Sequence, residues 1–199
     1  MIMGRFSLLV ALAAAATNAS AQEWKPTEQE KTYRIDGATG PELYRAIGSA
    51  GPLLGGGVRT IAHTTFDLKW RRNYQPQADG SCRLVSGLPF LTITYTLPKP
   101  AQRLSGATAG NWQSFIEGMR VHEKVHGQYI REMTQATQSA TVGLTVPDDR
   151  DCKKIRKDVA RLAMEASVRQ RDRSRDFDRI EMSNGGNVHR LILALVNGD

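Results

Sequence analysis

The segment at residues 112–133 constrains the fold most, because its pattern is that of one long amphipathic helix. Apolar and aromatic residues recur there at spacings of three and four, the period of a helix face that packs on a core. His122 and His126 fall on this face, and Glu123 directly follows the first histidine. The stripe consists of Trp112, Phe115, Met119, His122, His126, Tyr129 and Met133. We therefore predict a helix that begins near Asn111 and directs two histidines inward.

The two histidines have the spacing of metal ligands. Side chains at positions i and i+4 of a helix point the same way, so His122 and His126 can bind one zinc ion at about 2.0 to 2.1 Å each. Glu123 points about 100° away, where its carboxylate can accept a proton from a water at the open metal position. Two packed core histidines beside a solvated glutamate are the simpler alternative. The scarcity of histidine, with four in the chain, favours a Zn²⁺ site with Glu123 as the catalytic base.

The N-terminus has the pattern of a secretory signal peptide. One positive charge at Arg5 precedes an apolar run at residues 6–16, and small residues precede a cleavage point near Ala21-Gln22. We therefore predict a signal peptide at residues 1–21, a mature domain at residues 22–199, and a periplasmic or secreted protein. The apolar run is too short to span a bilayer, and no later segment is long and apolar enough, so we expect no transmembrane segment.

The cysteines and the charge fit an exported protein. Cys82 and Cys152 are the two cysteines of the chain, and an even count in an oxidising compartment predicts one disulfide between them. The formal net charge of +7 suits contact with an anionic polymer of the cell envelope. An exported protein rarely meets nucleic acid, so we expect no nucleic-acid partner. The basic residues are interleaved with acids at residues 150–175, which is typical of a solvated helix face.

Two segments alternate apolar and polar residues, as strands with one buried face do. They lie at residues 60–70 and 90–98 and are separated by the turn-forming sequence QPQADGS, so we predict an antiparallel pair. For His63, Tyr95 and Tyr129 we expect packing or surface roles. The predicted inward residues are Ala62, Thr64, Phe66, Leu68 and Trp70 in the first strand and Leu91, Ile93, Tyr95 and Leu97 in the second.

The other segments complete an α+β pattern. Polar residues 22–31 predict a loose arm, after which Tyr33 and Ile35 indicate a short strand. The sequence GPELYRAIGSAGP predicts a short helix, and a second long helix is predicted from about Cys152 to Glu181. The tail after residue 183 is consistent with a strand or a helical turn.

Strands followed by helices indicate a small antiparallel sheet packed against two long helices. The predicted inner face of the second long helix consists of Ile155, Val159, Leu162, Ala166, Phe177 and Ile180.

In order and spacing, these segments resemble the bacterial domain of unknown function 922, whose members are described as predicted secreted zinc-dependent proteases. The resemblance runs from TYRIDGATGPEL through HTTFDLKWRR, SCRLVSGLPFLTITYTLP and NWQSFIEGMRVHEKVHG to the second long helix, and so covers most of the mature chain. It implies a zincin-like metallopeptidase fold with its site at His122, Glu123 and His126. It also implies a cysteine pair placed like Cys82 and Cys152.

The third zinc ligand is not fixed by the motif. A catalytic zinc normally takes three protein ligands, and we expect the third from the second long helix, a rigid neighbour of the first. Asp178 is the first choice because it follows the inward-facing Phe177 and coincides with an aspartate of the family. Glu181, further along nearly the same face, and His189 are the alternatives. Without a metal, the two acids would pair with neighbouring arginines. The resemblance also implies a histidine where this chain has Ser183.

These observations predict an exported zinc-dependent hydrolase of peptide or amide bonds, an enzyme of the H-E-x-x-H metallopeptidase type with Zn²⁺ as its cofactor. Its substrate would be a protein, a peptide or a peptidoglycan stem peptide. The alternative is a non-catalytic cell-envelope module, in which zinc or packing holds the helices and the basic surface binds an anionic polymer or a partner protein. The departure from the family pattern at Ser183 motivates this alternative.

Overall fold

The computed structural model describes residues 24–198. The predicted signal peptide at residues 1–21 and its cleavage point near Ala21-Gln22 lie outside the described residues. The predicted α+β class is confirmed. None of the described helices has the length and apolar character needed to cross a bilayer. The elements are β1 (Thr27–Ile35), α1 (Gly40–Ala50), β2 (His63–Pro76), β3 (Cys82–Pro100), α2 (Gly106–Thr141), β4 (Thr145–Val146), α3 (Lys153–Met182) and α4 (Asn187–Asn197).

Strand β3 is the centre of a sheet with the order β1-β3-β2, and the short β4 pairs with its first residues. β2 runs antiparallel to β3, as predicted, from His63 opposite Thr96 to Pro76 opposite Cys82. β1 runs parallel to β3, so the prediction of a purely antiparallel sheet is wrong. The chain leaves β1 through α1 and the antiparallel strand β2 before it enters β3, which gives β3 the direction of β1.

Strand β1 also corrects the prediction of a loose arm at residues 22–31. Most of its side chains are exposed, so its sequence lacks the apolar alternation that marks a half-buried strand. Its backbone pairs with β3 from Thr27 opposite Thr92 to Ile35 opposite Pro100. This strand is therefore held by backbone hydrogen bonds, which a polar side-chain pattern does not reveal.

The inward faces of the hairpin strands are only partly as predicted. In β2, Phe66 is 42% exposed, so its prediction as a core residue is wrong. β2 lies at the edge of the described sheet, and Phe66 lines a cavity there. The predicted inward face of β3 is confirmed by the burial of Leu91, Ile93, Tyr95 and Leu97.

The helices match their predicted positions with two corrections. α2 begins at Gly106, after Ser105 at its N-cap, so the predicted start near Asn111 is wrong; the Asn111 side chain instead donates to the Gly198 carbonyl at 2.6 Å. α3 has the predicted extent, but Ile180 is 57% exposed and not on the inner face. It lies about 200° around the helix from Asp178, which faces α2. The tail forms the helix α4.

Helix α2 crosses the sheet and contributes to two separate apolar clusters. Met119 belongs to a cluster with α1, α4 and the end of β3. Ile130 belongs to a second cluster around Ile93 in the middle of β3. His122 and His126 lie on α2 between Met119 and Ile130. Two polar side chains therefore lie between the two apolar clusters.

The predicted disulfide between Cys82 and Cys152 is confirmed. It joins the first residue of β3 to the N-cap of α3. The buried Asp149 carboxylate accepts hydrogen bonds from the backbone N–H groups of Lys154, at 2.9 Å, and Ile155, at 2.8 Å. The first turn of α3 is therefore attached to the sheet covalently and capped by a side chain.

Removal of the disulfide should destabilise the fold. On the chain-entropy model, a bond that closes a separation of 70 residues contributes about 4 kcal/mol. We expect the free energy of unfolding of a Cys82→Ala/Cys152→Ala variant, measured by urea denaturation, to be lower by roughly that amount. Two free thiols in the oxidised wild-type protein, detected by alkylation and intact mass, would contradict the bond.

Gly127 allows α2 to approach the sheet closely, because a Cβ there would lie 2.1 Å from the Tyr95 hydroxyl. We expect Gly127→Ala to lower the free energy of unfolding by about 1–3 kcal/mol, the usual effect of overpacking. Gly110→Ala is the matched control on the same helix, because its Cβ would meet nothing within 4 Å. It should raise stability by up to about 1 kcal/mol through helix propensity. Equal thermal unfolding midpoints for the two variants would refute the close approach.

Candidate metal centre

Helices α2 and α3 run in opposite directions and bring three side chains to one point. Two contacts show this direction. Glu132 of α2 contacts Arg173 of α3, and His122, ten residues before Glu132, contacts Asp178, five residues after Arg173. The Asp178 Oδ1 atom lies 3.1 Å from Nε2 of His122 and 2.9 Å from Nε2 of His126. The two Nε2 atoms are 3.2 Å apart. Within residues 24–198, these three side chains form the group that could hold one metal ion.

The separations and the donor types fit a zinc ion. Ligand atoms that each lie 2.0 to 2.1 Å from a tetrahedral zinc are about 3.4 Å from one another. The observed separations of 2.9, 3.1 and 3.2 Å are close to that value. An Nε2–H group of either histidine can donate to Asp178 Oδ1. Two such N–H groups would be crowded at the 3.2 Å that separates the Nε2 atoms, whereas one shared metal ion suits that distance.

The outer nitrogens of both imidazoles face side chains of α3. His126 Nδ1 lies 3.2 Å from the hydroxyl oxygen of Ser174. His122 Nδ1 is buried and has no hydrogen-bond partner among the described residues, and an oxygen of Glu181 lies 3.8 Å from it. A histidine that binds metal through Nε2 carries its proton on Nδ1 and donates it to such a group. Ser174 therefore lies within hydrogen-bond distance of Nδ1 of His126, and Glu181 is the nearest acidic group to Nδ1 of His122.

The carboxyl of Asp178 is ionised in this setting. Burial disfavours its charge, but hydrogen bonds with His122 and His126 outweigh burial and hold the pKa of Asp178 far below its ordinary value. Burial alone would lower the pKa of His126, and the hydrogen bond and charge of Asp178 raise it overall. Since metal binding requires a neutral imidazole, protons and metal compete at His126.

Glu123 lies beside the three clustered side chains. It is 3% exposed, and its Oε2 atom accepts a hydrogen bond of 2.5 Å from the hydroxyl of Thr64 on β2. This bond crosses from the sheet to α2, so it fixes the carboxylate against a separate rigid element. Among residues 24–198 the second carboxylate oxygen has no hydrogen-bond donor, so it can accept a bond from a further donor.

Aromatic carbon covers one side of the histidine pair. The Phe177 ring stacks on His122 with centroids 4.7 Å apart and planes at 21°. It meets His126 edge-on at 5.5 Å. The ring restricts rotation of both imidazoles and keeps water from that side.

The site opens into a cavity of about 690 Å³. This volume lies in the range of clefts that bind small molecules or peptide side chains. His122, Glu123, His126 and Asp178 form part of its wall. Much of the remainder comes from the start of β2, from α3 and from the loop before β2, with further residues from α1, α2 and α4. A substrate in the cavity would therefore contact the candidate ligands and the Glu123 carboxylate together.

Other candidates from the sequence have different positions. His189, an alternative ligand, lies on α4 and accepts a hydrogen bond from the backbone of Gly185 at 3.3 Å. Tyr95 donates to Glu28 at 3.1 Å. His63 lines the cavity, although a surface or packing role was expected for it.

Two residues of the site were missed in the sequence. Ser174 lies four residues before Asp178 and therefore on the same face of α3, so helical spacing was a usable signal. Thr64 occupied a predicted inward position of β2 and resembled an ordinary packing residue. No local pattern indicates that its hydroxyl meets Glu123.

A family model of bacterial proteins of unknown function, DUF922, matches residues 30–186. The chain belongs to the DUF922 family. This confirms the resemblance seen in the ordered sequence segments. No curated protein and no solved structure matches the chain. The DUF922 match runs from within β1 to just past the end of α3 and so includes the three clustered side chains and Glu123, whereas α4 lies beyond it.

Zinc affinity tests the ligand set directly. We expect His122→Ala and His126→Ala to abolish tight zinc binding, and Asp178→Ala to weaken it at least about 10-fold. Asp176→Ala is the matched control, because Asp176 lies on the same helix, is 68% exposed and pairs with Arg179. Competition with a fluorescent zinc chelator measures the affinities.

The same titration separates Asp178 from its alternative. If Asp178→Ala binds zinc as tightly as Asp176→Ala and Glu181→Ala does not, the third ligand is Glu181. A wild-type protein that carries no zinc after purification without chelators would contradict the zinc site altogether.

Proposed function

We propose that the protein is an exported zinc-dependent hydrolase of peptide or amide bonds. The single observation that carries this proposal is the convergence of His122, His126 and Asp178 within 3.2 Å, beside a buried glutamate in the wall of a cavity. Two imidazoles and one carboxylate can supply three ligands to a catalytic zinc, and an adjacent glutamate can act as its base.

Zinc bound by these three side chains would polarise the substrate carbonyl and lower the pKa of an attacking water towards about 7. Glu123 accepts the proton of that water on its free carboxylate oxygen and passes it to the leaving amine. Thr64 keeps the carboxylate in place through its hydrogen bond. Ser174 holds His126 in the tautomer that presents Nε2 through its hydrogen bond to Nδ1. Phe177 restricts the rotation of both imidazoles.

The N-terminal sequence supports export to the periplasm or beyond the cell, since it has the charge, apolar run and small residues of a signal peptide. The confirmed disulfide agrees with an oxidising compartment. Substrates available there include proteins, peptides and peptidoglycan stem peptides. We place the protein among the metallopeptidases with a zincin-like arrangement as part of the same proposal.

A non-catalytic cell-envelope module is the second candidate, and the basic surface of α3 favours it. Arg169, Arg171 and Arg179 are exposed on this helix, which suits an anionic polymer or an acidic partner protein. In that case the zinc would only hold α2 against α3. The two candidates differ in whether Glu123 has a chemical role.

The variant Glu123→Gln separates the two candidates. The glutamine keeps an oxygen for the Thr64 hydroxyl but cannot accept a proton, so we expect hydrolysis to fall at least about 10²-fold. Zinc content and thermal unfolding should stay close to those of the wild type. Glu117→Gln on the same helix, at a 57% exposed side chain, is the matched control and should hydrolyse normally.

The assay uses mass spectrometry of peptide mixtures and of isolated sacculi after incubation with zinc-loaded protein. A cellular phenotype rescued equally by wild type and Glu123→Gln would exclude the hydrolase and leave the binding module.

A further inference from the structure

The residues that line the cavity beside the candidate metal centre carry both negative and positive charges, in different places. Its lining contains two carboxylates, Glu123 and Asp178, and both belong to the candidate site. The lining also contains three arginines, Arg59, Arg171 and Arg175. Away from the site itself, the permanent charges that face this cavity are therefore all positive.

One of these arginines, Arg171, has no acidic partner among the described residues. Its guanidinium donates to the hydroxyl of Ser167 at 2.7 Å. Other arginines of α3 differ, since Arg173 pairs with Glu132 and Arg175 pairs with Asp172. Arg171 therefore keeps most of its planar set of donors available to a ligand in the cavity.

Arg59, from the loop before β2, also lacks an acidic partner among the described residues. It donates to the backbone carbonyl of Gly51 at 2.6 Å and forms no ion pair with a described residue. A guanidinium binds a carboxylate through two parallel hydrogen bonds, which makes arginine the usual residue for carboxylate recognition. The net charge of +7 adds a field that draws anions to the protein.

The position of Arg171 along α3 limits where such a carboxylate would lie. Arg171 precedes Asp178 by seven residues, which is about 10 Å along the helix axis at 1.5 Å per residue. An extended peptide advances about 3.3 Å per residue. A carboxylate at Arg171 would therefore belong to a residue about three positions from the bond held at the metal centre.

We propose that the cavity binds acidic peptide segments, and that Arg171 recognises a substrate carboxylate about three residues from the cleaved bond. The proposal rests on the proposed function, because it takes the ligand to be a peptide held at the metal centre. Arg59, from the loop before β2, also lines the cavity and adds to the positive field. Apolar lining residues such as Phe66 and Met182 contact uncharged side chains of the same segment.

A binding experiment tests this without requiring cleavage. Zinc-loaded Glu123→Gln protein is immobilised and offered synthetic octapeptides with acetylated and amidated ends. Each peptide carries one glutamate, placed at each position in turn, or glutamine at the same position. Mass spectrometry of the retained peptides should show at least a tenfold preference for glutamate at one or two positions. Equal retention of the two sets, including retention of neither, overturns the proposal.

Charge-matched variants locate the recognition residue. In the Glu123→Gln background, Arg171→Gln should remove the preference, and Arg171→Glu should turn it towards peptides with lysine at the same positions. Arg169→Gln changes the net charge equally on the same helix but lies outside the lining of this cavity, and it should keep the preference. Equal losses in Arg169→Gln and Arg171→Gln would overturn the assignment to Arg171 and indicate nonspecific attraction.

Cleavage by the wild-type protein is scored separately on all the glutamate and glutamine peptides. If acidic peptides are retained through Arg171 but none is cleaved, the hydrolase proposal fails while the acidic-peptide site stands. If peptides are cleaved without regard to acidic residues, the hydrolase stands and this inference fails.

Discussion

The antiparallel packing of α3 on α2 determines where the groups of the candidate metal centre lie. The disulfide holds α3 at Cys152, but Asp178 is about 39 Å further along the helix at 1.5 Å per residue. Between these points, Ala166 packs into the cluster around Ile93, and Arg173 pairs with Glu132. The register of the two helices is therefore maintained along their whole contact, and Asp178 meets both histidines only because that register is kept.

The site places polar groups where an apolar core would be more stable. His122 and Glu123 are each 3% exposed, and a buried polar group without a partner costs about 1–3 kcal/mol. Thr64 satisfies Glu123, and Asp178 satisfies one nitrogen of His122. The other nitrogen of His122 has no partner among the described residues. Polar groups kept in a core at such a cost are typical of functional sites, where local stability gives way to chemistry.

The sequence predicted the parts of the fold that carry an apolar period. The face of β3 around Ile93 and the extent of α3 were read correctly because their buried residues repeat at 2.0 or 3.6 positions. The strand at Tyr33 and Ile35 was predicted, but the first part of β1 was taken for a loose arm because backbone pairing holds its polar residues. Phe66 was misplaced because it lines a cavity at an edge strand. In the site, the histidine pair was local in sequence, whereas the contact of Thr64 with Glu123 joins residues 59 positions apart. Such a contact depends on the register of the whole sheet against α2.

The departure from the family pattern at Ser183 takes on a different meaning once the helices are placed. Ser183 follows the last turn of α3, and its hydroxyl donates to the Ile180 carbonyl at 2.7 Å, so it serves the helix end. Asp178, inside the helix, already lies within hydrogen-bond distance of both Nε2 atoms. In the proposed site, the three protein ligands are then complete without a residue at position 183. A fourth protein ligand would close the position that a catalytic zinc keeps for water. The lack of a histidine at position 183 is therefore compatible with the proposed hydrolase and does not by itself favour a structural role for the zinc.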